Sequence, residues 1–122
     1  MQSSDADDDA FAAFALEAAI AAGHAILPHF RAPLDVEDKG GARGYDPVTE
    51  ADRAAEAVIR AAIASRYPDH GIHGEEHGRL QGRSRYTWVV DPIDGTRSFI
   101  VGQLNWATLI ALNDGERPRV GV

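Results

Sequence analysis

The fold and the chemistry are both indicated by one stretch of the chain, Trp88-Val89-Val90-Asp91-Pro92-Ile93-Asp94-Gly95-Thr96-Arg97-Ser98-Phe99. Its first part, together with the preceding Tyr86 and Thr87, is rich in aromatic and β-branched residues and predicts a buried strand that ends at Asp91. Pro92 then predicts a tight turn, and Gly95-Thr96 predicts the start of a helix. The strand therefore delivers Asp91 to its carboxyl end, and the turn brings Asp94 back three residues later.

Asp91 and Asp94 are candidate metal ligands. Two neighbouring carboxylates repel each other, and each raises the pKa of the other unless a cation lies between them. Mg²⁺ suits such a pair because it prefers hard oxygen ligands, with water and substrate phosphate completing its coordination. The backbone N–H groups of Gly95 and Thr96 at a helix start favour an anion. The pattern predicts a phosphoryl-transfer site; the alternative is an Asp-rich turn formed for purely local reasons.

Two helices are predicted upstream of this stretch. The first covers residues 10–31, ends before Pro33, and repeats apolar side chains at three- and four-residue steps. These side chains are Phe11, Phe14, Ala18, Ala22 and Ala25. The second covers residues 49–66, begins with a capping box from Thr49 to Asp52, and ends at the turn residues 67–71. Its predicted buried stripe consists of Ala55, Val58, Ala62 and Ile63.

The remaining segments predict short strands joined by turns. A short strand leading into a Gly-rich loop is predicted within residues 34–45, an extended segment at residues 72–75, and a polar loop at residues 76–85. Further strands are predicted at residues 105–112 and 118–122, with a turn at Asn113-Asp114-Gly115 between them. Two helices followed by hairpin-connected strands predict a layered α+β fold.

Composition excludes several classes of protein. The chain has 122 residues, is 44% hydrophobic and has no Cys, which excludes a disulfide framework, a thiolate metal site and a cysteine nucleophile. Four acidic residues lie in an expected N-terminal tail, residues 1–9, so the formal charge of −7 leaves only −3 for residues 10–122. No clustered basic face is visible, so a nucleic-acid surface is not expected. With no basic leader and no apolar run of membrane-spanning length, we expect a soluble cytoplasmic protein without membrane partners.

Four further features are weighed against ordinary structural roles. Glu75 and Glu76 follow Gly74, and only one of two adjacent residues on an extended segment can face a metal. Asp52 caps a helix, and a capping carboxylate can also orient a hydroxyl or a water molecule. Three histidines within eight residues suggest zinc, although a complete ligand set is missing; they are His70, His73 and His77. Lys39 lies in the Gly-rich loop and is also explained as a solvated side chain.

Three segments in this order and spacing resemble the inositol monophosphatase family. They are Asp46-Pro47-Val48-Thr49-Glu50-Ala51-Asp52, Gly74-Glu75-Glu76 and the stretch from Trp88 to Phe99 quoted above. The resemblance covers residues 10–122, which we expect to form the N-terminal part of the phosphatase domain. It implies a layered α/β sandwich of the inositol monophosphatase and fructose-1,6-bisphosphatase type, with two helices packed on a mainly antiparallel sheet.

The resemblance also implies roles for individual residues. Glu75, Asp91 and Asp94 match metal-binding carboxylates, and the backbone carbonyl of Ile93 matches a further metal ligand. Thr96 matches a threonine that pairs with an aspartate, here Asp52, to activate water, so Asp52, Thr96 and Glu75 are the catalytic candidates. The substrate-binding candidates are Glu75, Ile93, Asp94, Gly95 and Thr96. Lys39 falls near a family lysine in a loop of variable length.

The implied function is Mg²⁺-dependent hydrolysis of a small phosphate monoester, with two or three ions per site. The run Arg97-Ser98-Phe99-Ile100-Val101-Gly102 looks more like the histidinol-phosphate phosphatase branch, which acts in histidine biosynthesis, than the myo-inositol branch. Asn105 stands where that branch has Pro. The alternatives are inositol 1-phosphate or another small monoester as substrate and, from another class, an inactive fragment that binds metal or a partner only. Family members are longer and commonly dimerise, so we expect a homodimer at full length and an exposed hydrophobic sheet in this N-terminal half.

Overall fold

A computed structural model describes residues 5–40 and 47–122 of the chain. The first helix, α1, covers Asp5–Ile26 and continues as a 3₁₀ turn, Leu27–His29. A two-stranded antiparallel sheet follows, formed by β1 (Val36–Asp38) and β2 (Pro47–Thr49). Helix α2 covers Glu50–Arg66. Asp46 and most of the predicted Gly-rich loop lie outside the described residues.

The second half of the chain forms a five-stranded sheet. Its strands are β3 (Gly71–Gly74), β4 (Gly78–Leu80), β5 (Thr87–Asp94), β6 (Ala107–Asn113) and β7 (Pro118–Gly121), with a short helix α3 (Thr96–Ile100) after β5. The strand order is β4-β3-β5-β6-β7. Only β3 and β5 are parallel, and the other three pairings are antiparallel. The predicted α+β fold with a mainly antiparallel sheet is confirmed.

The core lies between the two long helices and one face of this sheet. Helix α2 buries Ala51, Ala55, Ile59 and Ile63, and the sheet contributes large side chains that include Trp88, Ile110 and Leu112. The buried stripe therefore differs from the predicted one, because Val58 and Ala62 are only partly buried while Ile59 is fully buried. Helix α1 packs on α2 and on β6 and β7 through small residues, chiefly Ala15, Ala18 and Ala22.

Helix α1 differs from its prediction in two respects. It begins at Asp5, so the acidic residues 5–9, expected in a tail, form its first turns, where the helix dipole stabilises negative charge. In addition, Asp5–His29 is long and apolar enough to cross a membrane by length and composition alone. The expectation that no segment reaches this length was wrong, because Ala contributes to hydropathy across most of the helix. A core helix of a soluble protein passes the same test.

Candidate active site

The candidate residues meet because β3 and β5 run parallel. Gly74 and Val90 lie opposite each other in the register of the two strands. The next residue of each chain segment, Glu75 and Asp91, therefore emerges at the same edge of the sheet, since the carboxyl ends of parallel strands lie side by side. The amino end of α2 supplies Asp52, and the start of α3 supplies Thr96.

Asp91 and Asp94 belong to one strand that contains a bulge. The register of β5 on β6 shifts between Asp91, opposite Leu109, and Asp94, opposite Ala107. The predicted tight turn at Pro92 was therefore wrong, since Pro92 lies within β5, where its missing N–H is tolerated at a bulge. The extra residue resets the alternation of side chains, so that two residues three positions apart can face one side. Thr108 Oγ1 donates to the Pro92 carbonyl at 2.8 Å and holds the bulge in place.

Gly95 makes the sharp connection from β5 to α3. It is the N-cap of α3 and adopts the left-handed conformation, with φ 93° and ψ 39°. A Cβ at this position would lie 2.8 Å from the carbonyl oxygen of Asn105. Glycine is therefore required here for both conformation and space. The predicted helix start is confirmed.

Asp52 and Thr96 are in contact, as predicted. Thr96 Oγ1 lies 3.0 Å from Asp52 Oδ1 and 3.1 Å from the carbonyl oxygen of Ile93, so its single proton is shared between two acceptors. The other oxygen of Asp52 accepts from the amide and the hydroxyl of Thr49, at 2.9 Å and 2.6 Å. This is the predicted capping box, and it fixes the orientation of a carboxylate that is only 1% exposed. Their role in activating water stays a prediction.

The acidic residues act on one another electrostatically. The pKa of Asp91 is raised to about 6, chiefly by burial and then by the negative charges of Glu75 and Asp94, with smaller contributions from Asp52 and Glu76. Burial also raises the pKa of Glu76, although the ion pair with Lys39 opposes this shift. Five carboxylates therefore surround one region of the molecule, and Lys39 forms an ion pair with one of them, Glu76.

This donor set fits a divalent cation. A cation removes the penalty on ionised Asp91, and carboxylate and carbonyl oxygens are the ligands that Mg²⁺ prefers. No three His, Asp or Glu side chains within residues 5–40 and 47–122 converge as a ready-made metal group. The carboxylates therefore share an electrostatic environment without already forming a coordination shell, and the assignment of Glu75, Asp91, Ile93 and Asp94 as ligands stays a prediction.

Glu75 and Glu76 lie in the turn between β3 and β4, not in an extended segment. Strand β3 ends at Gly74, and β4 begins at Gly78 within the segment predicted as a polar loop. Side chains in a turn do not alternate between two faces, so both glutamates can lie near Asp91. The negative charge of each raises the pKa of Asp91. Lys39 Nζ lies 3.0 Å from Glu76 Oε2, which places Lys39 beside the site.

The three clustered histidines do not form a zinc site in the described part of the chain. His70 is buried, and its Nδ1 accepts a hydrogen bond from Trp88 Nε1 at 3.0 Å. His73 is exposed on β3, whereas the Nε2–H of His77 donates to the carbonyl of Arg53 at 3.1 Å. His70 and His77 are thus assigned to structural roles.

Sequence reasoning missed Glu56. It is fully buried in α2, and its carboxylate accepts from the backbone amides of Glu76 and His77 and from Arg60 Nε. The sequence shows that Glu56 lies four residues after Asp52 on the same helix face and four residues before Arg60, a charge partner. Neither spacing predicts that Glu56 is buried or that it contacts the turn.

The chain is similar to several known proteins in sequence and in fold. A family model described as "Inositol monophosphatase family" matches residues 7–122. The histidinol-phosphatase of Chlorobaculum parvum is 44% identical over 109 residues, which cover 88% of this chain and 41% of that protein. The Nus factor SuhB of Pseudomonas aeruginosa is 45% identical over 100 residues, which cover 80% and 36%. The solved structure of the Thermotoga maritima IMPase has a TM-score of 0.79 and 33% identity, covering 89% and 41%. The chain thus spans less than half the length of these proteins.

Proposed function

Because the chain belongs to the inositol monophosphatase family, we propose that it carries most of the active site of a Mg²⁺-dependent phosphate monoester hydrolase. The family consists of metal-dependent phosphatases that act on small phosphate monoesters. The observation that carries the proposal is the hydrogen bond between Thr96 and Asp52 beside the carboxylates of Glu75, Asp91 and Asp94. A paired hydroxyl and carboxylate next to a cluster of hard oxygen donors is the equipment that metal-assisted hydrolysis requires.

Each residue has a proposed task. Glu75, Asp91, Asp94 and the Ile93 carbonyl would hold two or three ions. Bound Mg²⁺ would lower the pKa of water and neutralise charge on the phosphate. Thr96, oriented by Asp52, accepts a hydrogen bond from the attacking water, and the water proton can pass through Thr96 to Asp52. The amides of Gly95 and Thr96, with Glu75, Ile93 and Asp94, would orient the substrate.

The reaction needs no covalent enzyme intermediate. The water oxygen forms a bond to phosphorus while the ester oxygen leaves, and the leaving alkoxide takes up a proton to become the alcohol. The products are inorganic phosphate and that alcohol. Thr49 supports this chemistry because its amide and hydroxyl hold the second oxygen of Asp52 in place.

Histidinol phosphate is the proposed substrate. The run from Arg97 to Gly102 supports it, as does the identity of 44% to the C. parvum histidinol-phosphatase. Inositol 1-phosphate is the alternative, because the T. maritima IMPase has the same fold at 33% identity. We further propose a cytoplasmic protein that forms a homodimer at full length.

A second candidate is a binding protein without turnover. It is favoured by one observation, the 45% identity to a P. aeruginosa relative that is named as a Nus factor. Phosphate release decides between the two candidates. In protein shown to be folded, we expect Mg²⁺-dependent release from histidinol phosphate in a panel that also contains inositol 1-phosphate and a 3′,5′-bisphosphate nucleotide. Absence of release from all three would favour the binding protein.

The first prediction concerns Asp94. Replacing Asp94 by Asn removes a ligand charge while keeping its size, so we expect Mg²⁺-dependent phosphate release to be abolished. The matched control is Glu116→Gln, which removes one exposed negative charge in the turn before β7. Unchanged turnover of the Asp94→Asn protein would contradict the assignment.

A further inference from the structure

Glu56 is a buried carboxylate, and an unpaired charge at this position would destabilise the fold. It lies in α2 one turn after Asp52, is 0% exposed, and is flanked by the buried side chains of Ala55 and Ile59. An ionised group removed from water destabilises a fold by several kcal/mol unless it is paired and hydrogen-bonded. The groups that pair with the Glu56 carboxylate therefore indicate its role.

Two of the hydrogen bonds to the Glu56 carboxylate come from backbone amides in the turn between β3 and β4. The amides of Glu76 and His77 donate to the two carboxylate oxygens at 2.8 Å and 2.7 Å. Arg60 Nε donates at 3.0 Å from the next turn of the helix. The two amides directly follow Glu75, so the carboxylate fixes the backbone that presents Glu75 and Glu76 to Asp91.

The turn lies directly against this carboxylate. A Cβ on Gly74 would come within 2.5 Å of Glu56 Oε1, so only glycine allows the approach. Arg60 also donates to the carbonyl of Gly78, and His77 donates to the carbonyl of Arg53. Helix α2 thereby holds both sides of the turn.

Because Asp52 lies on the same helix, one rigid element sets the position of the water-activating carboxylate relative to Glu75. We propose that Glu56 is a positioning residue for metal binding, which holds the turn 75–77 in the arrangement that the ions require. This inference rests on the proposed function. Groups that orient metal ligands typically change metal affinity or activity ten- to a hundredfold when they are replaced.

The test uses Glu56→Gln, which keeps the size of the side chain but directs an amide toward one of the donating N–H groups. We expect the Mg²⁺ concentration for half-maximal phosphate release to rise by about tenfold or more, with a smaller change in kcat at saturating Mg²⁺. The affinity for Mn²⁺, measured by electron paramagnetic resonance without substrate, should fall by a similar factor. In ¹H–¹⁵N spectra, the amide signals of Glu76 and His77 should shift upfield and lose protection from hydrogen exchange.

Ile59→Ala is the matched control, since it removes buried volume from the same helix but no hydrogen-bonding group. It should lower stability and leave the Mg²⁺ and Mn²⁺ dependences unchanged. If Glu56→Gln lowers stability but also leaves both metal dependences unchanged, Glu56 is only structural and the proposal is overturned.

A second variant and a second measurement cover the cases in which Glu56→Gln does not fold or the protein releases no phosphate. If Glu56→Gln does not fold, Arg60→Met removes the charge partner at a position nearer the surface. A rise of several-fold in the half-saturating Mg²⁺ concentration would then support the proposal, and no change would overturn it. If the unsubstituted protein releases no phosphate, the proposed function fails, while Mn²⁺ affinity and the two amide signals still decide the role of Glu56.

Discussion

At the scale of single residues, the Thr96 hydroxyl connects Asp52, the carboxylate proposed to activate water, with the strand that carries the proposed ligands. It lies within hydrogen-bond distance of both Asp52 and the Ile93 carbonyl. Removing it leaves a buried carboxylate oxygen without its partner, which costs about 1–3 kcal/mol. It also removes the group that would orient the attacking water.

We therefore expect Thr96→Val to lower kcat by a factor of about 10²–10⁴, the usual contribution of a positioned proton-transfer group. The Mg²⁺ concentration for half-maximal activity should change little, which separates this variant from changes at Glu56. Steady-state phosphate release at varied Mg²⁺ measures both quantities. Thr87→Val, at the other end of β5, serves as the control and should keep its kcat; an equal loss there would contradict the assigned role.

At the scale of secondary structure, the connection from β5 to α3 depends on one backbone conformation. Gly95 has φ 93°, and its missing Cβ leaves room for the Asn105 carbonyl. An L-residue in this conformation costs about 1–2 kcal/mol before any steric clash is added. The start of α3, and with it the position of Thr96, therefore depends on glycine.

Gly95→Ala should lower the free energy of unfolding by at least about 1–2 kcal/mol and reduce phosphate release beyond what the loss of folded protein explains. Gly23→Ala is the contrasting variant, because Gly23 lies within α1 and a Cβ there would meet nothing within 4 Å. It should stabilise the protein by about 0.5–1 kcal/mol, since alanine is the better helix former. Urea unfolding of both variants measures the two shifts, and a stabilised Gly95→Ala protein would refute the structural argument.

At the scale of the whole molecule, His70 contacts side chains from α1, from the end of α2 and from β5. Its ring stacks on Tyr67 at 4.7 Å, lies against Phe11 from α1, and accepts from Trp88 of β5. Burial lowers the pKa of His70 below its ordinary value of 6.5, although the nearby Asp69 opposes the shift. The folded protein therefore holds a neutral imidazole.

The contribution of His70 to stability should consequently fall in mild acid. The unfolded chain takes up the His70 proton more readily, so this contribution is complete above about pH 6.5 and is lost as the pH falls from there through the folded-state pKa. Asp91 acts in the opposite direction, because its pKa of about 6 favours the folded state as the pH falls below that value. A comparison of variants cancels the Asp91 contribution.

The measurement is the urea midpoint between pH 7.5 and pH 5 for the unsubstituted protein and for His70→Asn, which keeps an acceptor for Trp88 but does not titrate. We expect the difference between the two midpoints to depend on pH. Thr87→Val, which changes a side chain that does not titrate, should give a difference that is independent of pH. A pH-independent difference for His70→Asn would contradict the assignment of a neutral buried ring.

The outer face of the sheet is a second property of the whole molecule. Val89, Leu109 and Val122 are exposed by 45%, 44% and 39%, on the face opposite the helices. The expected exposure of hydrophobic sheet is thereby confirmed. Alternation along β5 explains it, since Val89 lies between Trp88 and Val90, which are buried on the inner face.

The sequence alone determined the features that depend on nearby residues. These features are the capping box of α2, the strand at residues 87–91 and the turn at Asn113-Asp114-Gly115. Their hydrogen bonds and periodicities span only a few residues. The motifs that resemble a phosphatase family are local patterns as well. The carboxylates whose charges raise the pKa of Asp91 could also be identified from the sequence.

The tertiary structure decided which distant groups meet. Three features could not be predicted from neighbouring residues in the sequence. They are the parallel pairing of β3 with β5, the bulge at Pro92 and the burial of Glu56 against the turn 75–77. Each depends on which surfaces pack together after the chain folds, and burial determines whether a glutamate is a solvated charge or a fixed acceptor of backbone amides. The residues of the site could thus be predicted from the sequence, whereas the group that holds them in place could not.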